Sequence, residues 1–465
     1  MSMRPLTLGK FLLLFSFAFV LSNCAKDPDP NPSPVYKTPS ELDNTVVMTW
    51  NKLFLDAERF TKGYKPPVSA RAIAYINMIG YESIVPGMSD KYNSIAKIQY
   101  GLNMPSAQAG KSYAWAIVMN NAYKYAFKFF FQTAPSGQQI AINRTFEDLM
   151  NKYQQDFDAE TITRSLAMGQ DVAEIIISWS QADAIGDGAY DKNYDNSYVP
   201  PSGPGKWQPT KPDYGQALLP YWGKVRTFAS SESDLTLAPP VEFSTEPGSE
   251  FYRQAKQIEE LTKATIANPD GEDFWISQFW SDDCATLTFS PAGRWIAETH
   301  QVISEQNLNL VDASVAFTKV SMALCDAGIG SWKNKFIYNT IRPVDYISQV
   351  FGDTEWRTIM CPDGTGNYFT PPFPAYPSGH ATFSSAACGV LANIFGDNYA
   401  MNDKCHEGRT EFKGTPRHFT SFSQMAEENA YSRLPLGVHF VMDANGGLEL
   451  GKRIATKINQ IQFKK

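Results

Sequence analysis

Residues 373–396 read FPAYPSGHATFSSAACGVLANIFG, and the change of character at Ser378 decides the architecture. Ahead of it, prolines alternate with aromatic residues and cannot continue a helix. Beyond it, apolar residues recur at three and four residue spacing until Gly396, which is the period of a helix with a buried face. Serine and proline at the start are capping residues, and glycine at the far end is a stop. The same spacing continues outward along the chain. It predicts helices over 40–60, 67–85, 109–131, 137–155, 159–184, 249–267, 291–306, 310–329, 378–395 and 437–460. Strand alternation is almost absent. Residues 185–248 are rich in Pro, Gly and Asn, too long a stretch for an ordinary connection, and read as a wrapping loop with its own packing. The expected fold is all-α, a helical body of two packed bundles. Its expected division is an N-terminal helical region, 39–248, that includes the loop, and a C-terminal helical region, 249–465, that carries the chemistry.

With 43% hydrophobic and 19% charged residues, the chain has the apolar content for a large core and lies outside the disordered class. A formal charge of -7 and the absence of a long basic run oppose nucleic-acid binding. Any anion site must therefore be a local concentration of positive charge.

Residues 1–24 pair a basic flank, Arg4 and Lys10, with an apolar run from Phe11 to Leu21 that suits a secretory signal and is too short to span a bilayer. The segment ends in Leu21-Ser22-Asn23-Cys24, which resembles a bacterial lipobox with Cys24 as the lipidated residue, although Asn23 departs from the usual small residue. Residues 25–38, AKDPDPNPSPVYKT, alternate prolines and charges and read as an extended tether. The expectation is an exported lipoprotein, periplasmic or facing out from the cell surface, that touches the membrane through its lipid alone. Five cysteines follow Cys24, an odd number that cannot all pair internally. Cys361 and Cys405 lie in polar, loop-like contexts and are the candidates for a bridge, whereas Cys325 and Cys388 sit in apolar helical patterns as buried thiols. No CxxC pair or His/Cys cluster has zinc-like spacing.

The chemistry lies in three separated segments. In KNKFIYNTIRPVDY (333–346), Lys335 and Arg342 are seven residues apart, two helical turns, so both cations would lean the same way, and Pro343 would mark a helix end. Alone, this segment reads better as a solvated basic face. In the segment that opened this section, Ser378, Gly379 and His380 begin a helix. Its free amides and dipole favour an anion, the glycine lets a ligand approach the backbone, and His380 stands ready to exchange a proton. In NAYSRLPLGVHFVMDANGGLELG (429–451), Arg433 precedes His439, and Asp443 follows it at i, i+4 on one helix face. A carboxylate so placed holds one imidazole nitrogen and presents the other outward, as a nucleophilic or ligating histidine requires.

The order K-x6-RP, PSGH, SR-x5-H-x3-D resembles the tripartite signature of the superfamily that unites vanadium-dependent haloperoxidases, bacterial class A acid phosphatases and type-2 phosphatidic acid phosphatases. Every signature position is filled, and the intervals of 33 residues (Pro343 to Pro377) and 51 residues (His380 to Ser432) suit the family. The resemblance implies that Lys335, Arg342 and Arg433 neutralise an oxyanion, with the Ser378 hydroxyl and Gly379 amide completing the cradle. It places His439 on vanadium, or on phosphorus in a phosphatase, with Asp443 behind it and His380 as the acid/base. The implied cofactor is vanadate, for which phosphate competes. The implied reaction is oxidation of halide by hydrogen peroxide to hypohalous acid, and the alternative is hydrolysis of a phosphate ester through a phosphohistidine.

Residues 70–84, 205–210, 219–228 and 276–283 resemble bacterial haloperoxidase-like proteins, which favours the peroxidase. In the closest enzymes an acidic residue after the FW pair supports the cage arginine, a role open to Asp282 or Asp283. Phe373 and Trp332 fall where the family places residues around the halide approach, with core packing as the competing reading. Phe373 resembles the chloroperoxidase pattern, but one position does not fix the halide. A third possibility, an anchored protein that binds phosphate without turnover, is opposed by the retention of both histidines.

Overall fold

The computed structural model describes residues 36–282, 284, 287–361, 368–411 and 413–465. Its helices are α1 (Thr45–Phe60), α2 (Pro66–Ile84), α3 (Ile95–Tyr100), α4 (Trp115–Phe130), α5 (Ser136–Tyr153) and α6 (Ala159–Gln181). They continue as α7 (Glu232–Leu235), α8 (Glu250–Ala267), α9 (Glu272–Phe279), α10 (Pro291–Gln306) and α11 (Leu310–Tyr338). The last are α12 (Pro343–Tyr346), α13 (Gly379–Phe395), α14 (Phe422–Tyr431) and α15 (Val441–Asn459). Two three-residue strands, β1 (Met401–Asp403) and β2 (Arg417–Phe419), pair antiparallel with Met401 opposite Phe419. The all-α expectation holds, and residues 37–465 form one compact unit. No helix among the described residues is long and apolar enough to cross a membrane.

Helix α11 is the spine. Every residue of it from Val320 to Lys335 is buried, with α2 on one side and α13 on another. A helix apolar on all sides belongs inside a layered bundle. Phe383 and Leu391 of α13 are almost wholly enclosed, and burial of such side chains stabilises by about 1.5–3 kcal/mol each. Helices α13 and α15 make the most extensive contact in the molecule because α15 presents glycine to α13. A Cβ on Gly447 would lie 2.6 Å from the Ser378 carbonyl oxygen and 2.7 Å from Cβ of Ala381. That close approach brings the start of α13 against the start of α15.

The 185–248 segment is fastened to α11 by buried polar contacts. Asp326 on α11 is buried and accepts the backbone amides of Phe228, Ala229 and Ser230 at 2.7, 3.0 and 2.9 Å. Asn334 accepts the Leu237 amide at 3.0 Å, and Trp207 N–H donates to the Asn339 carbonyl at 2.8 Å. The loop is thereby fastened to the end of α11 that carries Lys335.

Several expectations are corrected. Helix α11 runs past the predicted end at 329 to Tyr338 and stops at Asn339, which takes the left-handed conformation (φ 50°). Lys335 and Arg342 therefore do not share a helix, and Pro343 is the first residue of α12 rather than a terminator. Residues 437–440 precede α15 instead of opening it. The cysteine expectation also fails: Cys284 bridges Cys361 with a Cα separation of 5.3 Å. The Cys405 thiol is drawn inward to donate to Glu298 Oε1 at 2.9 Å. Cys325 and Cys388 are buried thiols, as predicted.

Candidate active site

The three segments converge at the ends of α11, α13 and α15. Lys335, on the last turn of α11, is wholly buried, and its Nζ donates to the carbonyls of Pro374, Ala375 and Pro377 at 3.0, 3.0 and 2.5 Å. Burial and the neighbouring Arg342 push Lys335 well below the usual lysine range, and Asp443 opposes them. Three carbonyl acceptors match the three protons of an ammonium. The same side chain fixes the loop that leads into Ser378.

Arg342 precedes α12 and turns its buried guanidinium inward, with Nε on the Phe373 carbonyl at 2.8 Å and Nη1 on the Val438 carbonyl at 2.7 Å. The same Nη1 lies 3.4 Å from His439 Nε2. Arg433, also buried, donates to the Trp280 carbonyl at 3.1 Å and approaches Met360 Sδ at 3.3 Å. Ser378 caps α13 loosely, its hydroxyl 3.4 Å from the Ala381 amide. Its backbone is held more firmly, since Ser378 N–H donates to the Asp443 carbonyl at 2.9 Å. A Cβ on Gly379 would meet only Trp332 and Ser331, at 3.7 and 3.8 Å, so packing does not require glycine there.

His439 and Asp443 meet, though not through a shared helix face. His439 lies in extended chain ahead of α15, where Gly437 (φ 80°) makes the turn that delivers it. Asp443, in the first turn of α15, receives His439 Nδ1 at 3.0 Å and the Phe440 N–H at 2.9 Å, both on Oδ2. The backbone bond makes Oδ2 an acceptor, so Nδ1 carries the proton and Nε2 keeps its lone pair. Burial, then Arg342, Lys335, Arg433 and His380, push His439 well below the usual histidine range. Burial raises Asp443 to about 7, opposed by the Phe440 amide, Lys335 and Arg342.

His380 is likewise lowered by burial, then by Arg433, Lys335 and Arg294, while a bond to the Asp282 backbone opposes this. Its Nε2 is buried with no hydrogen-bond partner. Three cations, a neutral imidazole whose Nε2 lone pair faces Arg342, and a second histidine with an unengaged buried nitrogen make a donor set suited to a tetrahedral oxyanion such as vanadate or phosphate.

Phe373 and Trp332 stand together beside this cage, ring centroids 4.8 Å apart. Lys335 Nζ and Arg342 Cζ each lie 5.0 Å from the Phe373 ring centre. Both aromatic residues thus pack and border the site at once. Trp332 also binds the wrapping loop, its Nε1 donating to the Leu218 carbonyl at 3.0 Å.

Asp283 lies outside the described residues. Asp282 is present but takes a different partner from the one expected: its Oδ2 pairs with Arg294 Nε at 3.0 Å, and Arg433 influences it only through its charge. Burial raises Asp282 to about 6. Arg294 escaped the sequence reading altogether. It is fully buried on α10, pairs with Asp403 at 3.0 Å, reaches His406 Nε2 at 3.0 Å and the Phe279 carbonyl, and lies 4.5 Å over the Trp280 ring. These contacts hold residues 279–282, the segment that lends a carbonyl to Arg433 and backbone to His380. An arginine within the apolar face of PAGRWIAETH was the available signal.

The family model of the VCPO second helical-bundle domain matches residues 315–464, which contain every cage residue named above. Vanadium chloroperoxidase from Curvularia inaequalis is 24% identical over 89% of this chain and 81% of its own length. A structure described as the first bacterial vanadium-dependent iodoperoxidase superposes with a TM-score of 0.76 at 26% identity, covering 94% of this chain and 99% of that one. Two structures of a bacterial vanadium-dependent chloroperoxidase, at 14% identity and TM-scores of 0.63 and 0.62, share the fold. Signature, cage and fold agree, and together they support the vanadium-dependent haloperoxidase superfamily.

Proposed function

We propose that this protein is a vanadate-dependent haloperoxidase that converts hydrogen peroxide, halide and a proton to hypohalous acid and water. The observation that carries this reading is the meeting of Lys335, Arg342 and Arg433 with His380 and His439 in one buried volume. Bound vanadate would supply a Lewis-acidic centre for peroxide at a fixed metal oxidation state. His439 would hold it through Nε2, with Asp443 fixing the ring and its tautomer. The three cations neutralise oxyanion charge in a dry site, where preorganised charge acts far more strongly than in water. His380, neutral and with Nε2 unengaged, accepts a proton from peroxide and returns it as product leaves. Phe373 and Trp332 would form the aromatic side of the cage where halide enters.

The same donors would serve a phosphatase through a phosphohistidine. The haloperoxidase is favoured because the likeness to the iodoperoxidase structure runs over 94% of this chain, well beyond the signature. The test uses purified protein stripped of phosphate and assayed with peroxide and each halide before and after vanadate, alongside a phosphate monoester. Halide oxidation that appears with vanadate is expected. Ester hydrolysis with no halide oxidation would reverse the reading.

We also propose export and lipid anchoring through Cys24, supported by the basic flank, the short apolar run and the proline-rich tether. Cys24→Ser is expected to move the protein out of the membrane fraction. An unmodified wild-type N-terminus by mass spectrometry would refute the anchor.

A further inference from the structure

Arg433 meets a sulfur on one side. Met360 is wholly buried, with Sδ 3.3 Å from Arg433 Nη2. It belongs to a small apolar cluster with Ile359, Leu436 and Val438, apart from the main core. That cluster lies between the cage and the covalent Cys284–Cys361 link, and the carbonyl of its member Val438 accepts Arg342 Nη1 at 2.7 Å. A thioether is a weak acceptor for a guanidinium, so hydrogen bonding alone gives little reason for sulfur at this position. Its distinctive property is that it takes up an oxygen atom and becomes a polar sulfoxide.

We propose that Met360 is an internal oxidation site through which the enzyme's own product limits its turnover, an inference that rests on the haloperoxidase reading. Hypohalous acid formed in the cage transfers oxygen to the Met360 sulfur. Sulfur gives up two electrons, the halogen takes both and departs as halide, and the hydroxyl proton passes to water. The new sulfoxide oxygen is a strong acceptor within reach of Arg433. It binds the guanidinium more strongly than the sulfur does, draws it towards Met360 and away from the oxyanion, and places a polar group among Ile359, Leu436 and Val438. Methionine sulfoxide is reducible, so the lesion is reversible in principle.

The experiment gives vanadate-loaded protein peroxide and halide without an organic acceptor, quenches at intervals and maps oxidation by peptide mass. Met104 and Met150 are partly exposed and act as internal controls for oxidant arriving from solution. Met360 is expected to gain one oxygen atom before either of them, in step with lost turnover, and not when vanadate or halide is omitted. Met360→Leu should complete more turnovers than wild type before losing the same share of its initial rate. Protein inactivated with Met360 unmodified, or with the partly exposed methionines oxidised first, overturns the proposal.

A second arm does not depend on turnover. Wild type and Met360→Leu are oxidised with reagent hypohalous acid, and phosphate binding is measured by calorimetry. Wild type is expected to lose about tenfold in affinity, the worth of one diverted charge-assisted hydrogen bond, and the variant much less. Equal losses overturn the effect on Arg433. If wild type oxidises no halide at all, the haloperoxidase reading falls and self-oxidation falls with it, whereas the calorimetry still reports on the site.

Discussion

Replacing Asp443 with alanine separates two kinds of anion binding that the cage combines. In the native site Asp443 Oδ2 accepts His439 Nδ1 at 3.0 Å and the Phe440 amide at 2.9 Å. Alanine removes both acceptors. Loss of the amide partner removes a helix cap worth about 1 kcal/mol, and a buried donor left without an acceptor costs about 1–3 kcal/mol more. A lower melting temperature is therefore expected in a protein that still folds. The effect on ligands differs in sign. Vanadate bonding needs the Nε2 lone pair, and loss of a residue that orients a ligating histidine costs about 10–100-fold in affinity. Phosphate held by charge alone sees one fewer negative group among Lys335, Arg342 and Arg433, so its affinity should hold or rise. Asp443→Asn is the control, because its amide oxygen can still accept both N–H groups, and its vanadate loss should be smaller. The assay is calorimetric titration of each anion into phosphate-stripped protein. Unchanged vanadate affinity in Asp443→Ala, or a parallel fall for phosphate, would refute the argument that this carboxylate sets the tautomer of His439.

The two cage histidines should separate in the same way: His439→Ala loses vanadate retention and turnover, whereas His380→Ala keeps vanadate and loses turnover by about 100-fold or more. Titration and rate measured in one buffer check this, and the reverse pattern would exchange their roles. The Cys284–Cys361 bridge encloses a separation of 77 residues, for which chain entropy gives about 4.5 kcal/mol. Cys284→Ser with Cys361→Ser should lower the denaturation midpoint and also weaken phosphate binding, since the bridged segments supply the Trp280 and Met360 contacts to Arg433. A stability loss with unchanged binding would show that the clamp does not position the cage. His406 is lowered to about 2 by burial, then by Arg294, so its contribution to stability is complete above the unfolded value near 6.5 and is lost as pH falls below it. His406→Gln lacks that loss and should gain on wild type by up to about 1.4 kcal/mol per pH unit between pH 6 and 5. Parallel melting curves across that range would exclude proton uptake by His406 on unfolding.

Much of the molecule is legible in one dimension because helices are local. Apolar spacing located α1, α2, α5, α6, α8, α10 and α13 to within a few residues, except at the N-terminal end of α1. Short α3, α9 and α14 escaped, since six to ten residues hold too few repeats to establish a period. The cage was legible for another reason: charge, proton and lone-pair chemistry restrict which residue types can serve, and three motifs held them at fixed intervals. The approach of those motifs in space was not legible. Lys335 and Arg342 were expected on one helix and instead flank the break at Asn339, whose left-handed turn depends on the loop packed against it. His439 was expected on a helix face and instead enters from extended chain, with Asp443 reaching it from the first turn of α15. The disulfide partner of Cys361 and the sulfur beside Arg433 were invisible because each rests on a contact between residues 73 to 77 positions apart. The sequence alone determined which groups the site contains. Which side chains face one another was decided by the packing of α11, α13 and α15, since periodicity reports the side of a helix that is buried and not what that side meets.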